Sequence, residues 1–392
     1  MYGKPLQKRR NFGIIEIALQ RKKTEEMAKG IMKITTNFSG ANLKTARIIG
    51  QTVFLENNWD GFAHDWFYFA FCVEDAEGQT LTFQFDSLHR VGYAGVAVSH
   101  DLKEWHWSNS RIDGATFTYS FSKGENRVYF AHDMLYSPKR LTDFANRIGL
   151  TIQTLGKSRK GREIPCFSFG EGERPILLTA RHHACESTGS YVLEGVLETL
   201  SQHPIPHTRV FCVPMMDYDG VCDGEQGKGR LPHDHNRDYD PDQMPLYETT
   251  AAVRAYIEQH AVGLGFDFHS PWHLGGKNDQ IFLVRKALQP MERTDRFSAL
   301  LMQSVTPQAM RYASANDMPA NFDWNQDTAP TFASYILKKP WADLAITLET
   351  CYFGEADNRF TQEKGIAFGH CFAEALRKYL TEEAASTENE RG

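Results

Sequence analysis

The sequence predicts an α/β fold with a mixed, mostly parallel sheet flanked by helices, preceded by an antiparallel β-sandwich. Three observations predict it. From about residue 33 to 135, apolar and polar residues alternate in one short run after another. Beyond "YSPKRLTDFANRIG" the apolar runs become continuous, and helical segments separate them. Alternation marks a strand with one buried face, whereas unbroken apolar strands between helices belong to a sheet covered on both sides. A length of 392 residues exceeds what one core usually organises, in keeping with two domains.

Taken in order, residues 1–32 read as a mobile basic extension, too charged and too short in its apolar stretch for a signal sequence or a membrane span. Residues 33–138 are expected to form the sandwich. In "TLTFQFD" Leu81, Phe83 and Phe85 alternate with polar partners, as do Phe117, Tyr119 and Phe121 in "ATFTYSF". The aromatic stretch "DWFYFAF" suits either a carbohydrate-binding face or, as the commoner use of such residues, core packing. Residues 139–380 are expected to form the α/β domain. Its strands are "RPILLTA", "TRVFCVPM", "GLGFDF", "DQIFLV" and "LAITLE", with helices around 188–201, 246–260, 289–305 and 364–380. In the last helix Phe368, Phe372, Leu376 and Tyr379 share one face. Residues 381–392 read as a disordered acidic tail.

Composition excludes little but sets a direction. A formal charge of -6 gives no overall bias toward nucleic acid or an anionic membrane, so neither partner is expected. The seven cysteines are odd in number, lack CxxC spacing and mostly sit among apolar residues. That pattern suits reduced thiols in a cytoplasmic protein. Cys185, beside His183, reads as a nucleophile or, more simply, as a small buried hydrophobe.

The candidate chemistry begins where "RPILLTA" ends. His183 and Glu186 of "RHHACES" fall just past the carboxyl end of that strand, where open α/β sheets form their ligand crevices. An imidazole and a carboxylate three residues apart can share a zinc ion, or they can simply be part of a polar loop or helix cap. A third ligand is expected from another strand end: His269 of "GLGFDFHSPWH", beside Asp267, with His273 as the alternative. Glu349 closes the apolar run "LAITLE", where a carboxylate needs a metal, a water or a basic partner. It is either a general base or one half of a buried salt bridge. In "DHNRDYD", Arg237 with the adjacent amide of Asn236 makes a planar, multi-donor receptor for a carboxylate. The glycines of "DYDGVCDGEQGKGR" match neither a phosphate loop nor, after Asp217 and Asp219, a calcium loop.

HxxE, DxNR, the histidine of "DFHS" and the glutamate of "ITLET", in that order, resemble the zinc carboxypeptidases. The preceding sandwich, with "DWFYFAF" and "NRVYFAHDMLYS", is similar to the one that precedes the catalytic domain in the cytosolic carboxypeptidase-like branch. The resemblance covers roughly residues 33–380. It implies a metallocarboxypeptidase binding one zinc per chain through His183, Glu186 and His269, with a water in the fourth position. Asn236 and Arg237 would grip the terminal carboxylate of a peptide or protein tail, and Glu349 would be the general base. Asp234 would orient a ligand histidine. The family's oxyanion arginine, counted from Asp219, falls near Gly227, so Arg230, and after it Lys228, is the expected replacement. The arginine of glutamate-selecting members falls at Ser334, with Lys338 and Lys339 close by. Two other functions compete: a zinc-dependent deacylase of small N-acyl amino acids, a group that lacks the sandwich, and a non-catalytic binding protein retaining the fold, which should have lost a ligand or the base.

Overall fold

The structure is a computed structural model that describes residues 31–64, 66–273 and 275–389, with side chains to 382. The basic segment 1–30, expected to be mobile, lies outside these residues.

Alternating residues build two facing sheets at the N-terminal end. The strands are β1 (Lys33–Thr35), β2 (Thr45–Ile49), β3 (Thr52–Glu56), β4 (Ala70–Glu74), β5 (Thr80–Phe85), β6 (Ala97–Ser99), β7 (His106–Trp107), β8 (Thr116–Ser120) and β9 (Arg127–Ala131). They pair as β1-β4-β9-β6-β7 and β2-β3-β5-β8. All the pairs are antiparallel except β3 with β5. Leu81, Phe83 and Phe85 point into the core with Phe69, Phe71, Phe117 and Phe130. Of "DWFYFAF", Phe67 to Phe71 are buried and serve as core, whereas Trp66 is half-buried.

The chain then enters the α/β part through α1 (Pro138–Ile148), whose N-terminus is capped by Ser137 and whose end is Gly149 at φ 74°. There follow β10 (Gln153–Lys157), β11 (Glu163–Phe169), β12 (Arg174–Ala180), α2 (Ser187–Gln202), β13 (Thr208–Val213), α3 (Tyr218–Asp223) and α4 (Glu248–Gln259). The remaining elements are β14 (Leu264–His269), β15 (Phe282–Val284), α5 (Met291–Ser304), α6 (Phe332–Leu337), β16 (Leu344–Glu349), the small β17 (Gly354–Glu355) and β18 (Asn358–Arg359), and α7 (Gln362–Asn389). One seven-stranded sheet runs β10-β11-β13-β12-β14-β16-β15. Its four central strands are parallel. β10 and β11 on one side, and β15 on the other, are antiparallel.

Unbroken apolar strands are explained by cover on both faces. Ile176, Leu178 and Phe266 pack with residues of α2, α5 and α7 on one side. Leu177 and Ala345 pack with Val253 and Ile257 of α4 and Phe332 and Ile336 of α6 on the other. Helix α7 continues to Asn389, past residue 381 where a disordered tail was expected to begin. Hydrogen bonds tie the sandwich to the α/β part: Trp105 donates its N–H to Gln362 Oε1 at 2.8 Å, Trp107 Nε1 donates to the Phe360 carbonyl at 3.1 Å, and Asn42 Nδ2 donates to the Gly224 carbonyl at 2.6 Å.

Candidate metal centre

Parallel register delivers the candidate ligands to one sheet edge. β12 ends at Ala180, opposite Phe268 of β14, and the last residue of β14, His269, stands opposite Glu349, the last of β16. The chain leaves β12 through Arg181 at φ 61°, a strained conformation for a residue with a side chain. Its buried guanidinium fixes that bend by donating to the carbonyls of Ala184 and Tyr136, both at 3.0 Å. Glu186 then starts α2 as its N-cap residue. Gly189 lets α2 approach closely: a Cβ there would meet the Phe268 carbonyl oxygen at 2.9 Å.

These local features bring His183, Glu186 and His269 together, with one ligand atom from each lying within 4.8 Å of the others. Nδ1 of His183 is 2.7 Å from Glu186 Oε1, and Nδ1 of His269 is 2.7 Å from Glu186 Oε2. All three are buried. Burial opposes protonation of both imidazoles, yet Glu186 and Asp234 raise His183, while Asp267 and Glu186 raise His269 well above the ordinary value. Glu186 is held well below its ordinary value by His183, His269 and Lys228 against the cost of burial. Two imidazole nitrogens and a carboxylate are a donor set that fits a divalent ion of zinc's borderline character.

The outer groups fix which nitrogen faces inward. His269 Nε2 donates to Asp267 Oδ2 at 2.6 Å, which leaves Nδ1 for the centre. The other Asp267 oxygen accepts from Thr179 Oγ1 at 2.9 Å and from His182 Nδ1 at 2.8 Å, and Tyr239 donates its hydroxyl to His182 Nε2 at 2.8 Å. Asp234 Oδ1 lies 3.6 Å from His183 Nε2, so Asp234 faces the outer nitrogen of a candidate ligand. His273 is turned away from the cluster: it stacks on Phe67 at 3.9 Å and its Nε2 donates to the His89 carbonyl at 2.6 Å. Cys185 is buried, and burial pushes its thiol up, which suits a core residue.

Glu349 lines the same cleft, and burial pushes its carboxyl up to about 7. The two cations expected near the oxyanion differ in their surroundings. Arg230 pairs with Glu225 Oε2 through Nη1 at 2.5 Å and with buried Asp217 through Nη2. Lys228 lines the cleft, its Nζ 3.6 Å from Glu186 Oε1. Burial would lower Lys228, but Glu186 and Glu349 raise it, so it stays charged.

Asn236 and Arg237 lie on a short 3-10 turn capped by Asp234, which accepts from the Asn236 N–H at 3.0 Å. Asn236 is fixed further by accepting from the Phe332 N–H at 3.2 Å. Arg237 lines the cleft and forms no ion pair among the described residues, its Nη1 donating to the Asn236 carbonyl at 3.1 Å. The cleft encloses about 520 Å³. Ser334, Lys338 and Lys339 do not line it: Ser334 is buried against Thr331, and Lys339 pairs with Glu258. Lys277 and Lys286 do line it, both missed by sequence reasoning, and the buried one of the two is Lys286. It is 8% exposed, it pairs with no carboxylate among the described residues, and its Nζ donates to Asn325 Oδ1 at 2.7 Å. A lysine two residues past an apolar run was the available signal, but its meaning depends on β15 lying antiparallel beside β16. His182 and Tyr239, which brace Asp267, were missed for the same kind of reason.

Residues 34–132 match the cytosolic carboxypeptidase N-terminal domain. An uncharacterised protein of Zymomonas mobilis is 28% identical over 61% of this chain and 67% of its own length. Cytosolic carboxypeptidase 2 of Xenopus tropicalis is 24% identical over 71% of this chain, which spans only 32% of that longer relative. Among solved structures, a metallo-carboxypeptidase of Burkholderia cenocepacia superposes with a TM-score of 0.75 at 18% identity, covering 90% of this chain and 100% of the other. A metallo-carboxypeptidase of Pseudomonas aeruginosa gives 0.70 at 20% identity, covering 89% and 99%. At these identities the likeness to solved structures is one of fold.

Proposed function

We propose that this chain, a metallocarboxypeptidase-like protein whose N-terminal domain is that of the cytosolic branch, is a zinc-dependent carboxypeptidase that removes C-terminal residues from peptides or protein tails. The observation that carries the reading is the convergence of His183, Glu186 and His269 on one point, beside Glu349 and Arg237, which forms no ion pair among the described residues. When bound, zinc would supply Lewis acidity that acidifies water and polarises the scissile carbonyl.

The chain's own residues do the rest. Asn236 and Arg237 take the terminal carboxylate, which selects a free C-terminus. Lys286 lines the cleft without a carboxylate partner, and its ammonium suits an acidic side chain on the residue to be released. Glu349, with its carboxyl near 7, takes a proton from the attacking water and returns it to the leaving amine. Lys228, kept cationic, faces the negative charge that develops on the carbonyl oxygen. All seven cysteines are free thiols, which suits a reducing, cytoplasmic setting. No helix of the described residues is long and apolar enough to cross a membrane.

Purified protein should carry about one zinc per chain by elemental analysis. Zinc-loaded enzyme should cleave a peptide with a free C-terminus and spare its amidated form, and Arg237→Ala should narrow that difference. Glu349→Gln should keep the zinc and lose about 10²–10⁴-fold in kcat. Equal cleavage of the free and amidated peptides, or full activity in Glu349→Gln, would overturn the reading.

A further inference from the structure

Arg237, Lys286 and Lys228 all line the cleft, and Lys228 Nζ lies 5.3 Å from the ring centroid of Trp66. Trp66 meets Trp272 edge to face, with centroids 4.3 Å apart at 73°. Both tryptophans line the cleft and are only half-buried, whereas the residues behind them, Phe67 and His273, are buried.

This aromatic corner is built rigidly. The Trp66 N–H donates to Gln226 Oε1 at 3.0 Å, and the Trp66 carbonyl accepts from Arg90 Nη1 at 2.8 Å. Gln226 Nε2 in turn donates to the carbonyls of Lys228 and His64 at 2.9 and 3.0 Å, so the sandwich loop and the catalytic loop are held as one piece. Trp272 follows β14 by three residues and rests on Phe67, with centroids 5.3 Å apart. Two rings fixed from behind and open in front offer apolar area at little entropic cost on binding.

If the terminal carboxylate lies at Arg237 and the scissile carbonyl beside Lys228, the ring pair next to Lys228 borders the residue upstream of that bond. We propose that Trp66 and Trp272 form the subsite for the residue just before the scissile bond, and that it favours an aromatic or other bulky apolar side chain. Lys228 does not make this an acidic subsite, because its Nζ lies 3.6 Å from Glu186 Oε1 and faces the cluster. The sandwich thus contributes Trp66 directly to substrate recognition. The inference rests on the active-site reading above.

The test compares N-acetyl-Phe-Glu with N-acetyl-Gly-Glu. Burying a phenyl ring in such a corner should favour the Phe substrate about tenfold or more in kcat/KM. Trp66→Ala and Trp272→Ala should each bring that ratio toward one, and Trp272→Phe should largely restore it. A ratio near one in the parent enzyme, or a ratio retained in both alanine variants, would overturn the subsite. Should neither peptide be cleaved, the hydrolase reading fails while the subsite is still decided by calorimetry of the two peptides on zinc-loaded protein. Tighter binding of the Phe peptide, lost in Trp66→Ala, would then support the subsite, and equal affinity would sink it.

Discussion

His269 shows how much of a binding site lies behind its ligands. The imidazole reaches the cluster through Nδ1 because Asp267 takes its Nε2, and Asp267 is itself braced by Thr179 and His182. Burial keeps His182 neutral against the pull of Asp267, and Tyr239 keeps its own proton, so the donor at each link is fixed. Removing this brace should loosen the metal without touching it. His182→Phe should weaken zinc binding about 10–100-fold in a chelator competition, with His182→Asn close to the parent because its amide can still donate to Asp267. Unchanged zinc affinity in His182→Phe would mean that strand β14 alone aims His269. Arg230 shows the converse: a cation near the expected sequence position is paired with Asp217 and Glu225 outside the cleft lining.

At the level of elements, the sheet edge is positioned by how closely the helices approach it and one another. Helices α2 and α7 cross at Gly195 and Gly369, where an added Cβ would lie 2.0 Å from the carbonyl oxygen of Ile366 or Val192 respectively. Backbone cannot yield as a flexible side chain can, so Gly195→Ala should destabilise the protein by about 1–3 kcal/mol, read as a lower urea midpoint. A midpoint equal to that of the parent would show that the two helices separate without cost. Since α2 begins at Glu186, a shift of this helix also moves a candidate ligand.

For the whole molecule, the contacts between sandwich and α/β part predict a single unfolding event. Gln362 holds the backbone of Lys103 and Trp105, and Gln226 holds that of His64 and Trp66. Far-ultraviolet dichroism and tryptophan fluorescence should therefore report coincident melting curves. Zinc at a thousandfold excess over its dissociation constant should add about 4 kcal/mol and raise the common Tm. That gain should shrink as pH falls, because the carboxylates around His183 and His269 raise both imidazoles and binding must displace their protons. Two separated transitions, with only one of them moved by zinc, would show that the sandwich and the α/β part melt independently.

By itself the sequence determined the local elements and the identity of the candidate ligands. Strand "RPILLTA" is β12 residue for residue, because an unbroken apolar run closed by Arg181 leaves no other use for it. His183, Glu186, His269 and Glu349 were legible because each breaks such a run, or follows one, with a group that is costly to bury alone. Tertiary structure alone decided which groups face the cleft. Lys286 gained its place there from β15 pairing antiparallel with β16, Arg230 is paired with two carboxylates brought in by folding, and Trp66 arrived from the sandwich, more than a hundred residues before the first candidate ligand. Spacing along a chain fixes neighbours within a turn or a strand, whereas neighbours across a sheet or between domains depend on register and packing, which no local pattern contains.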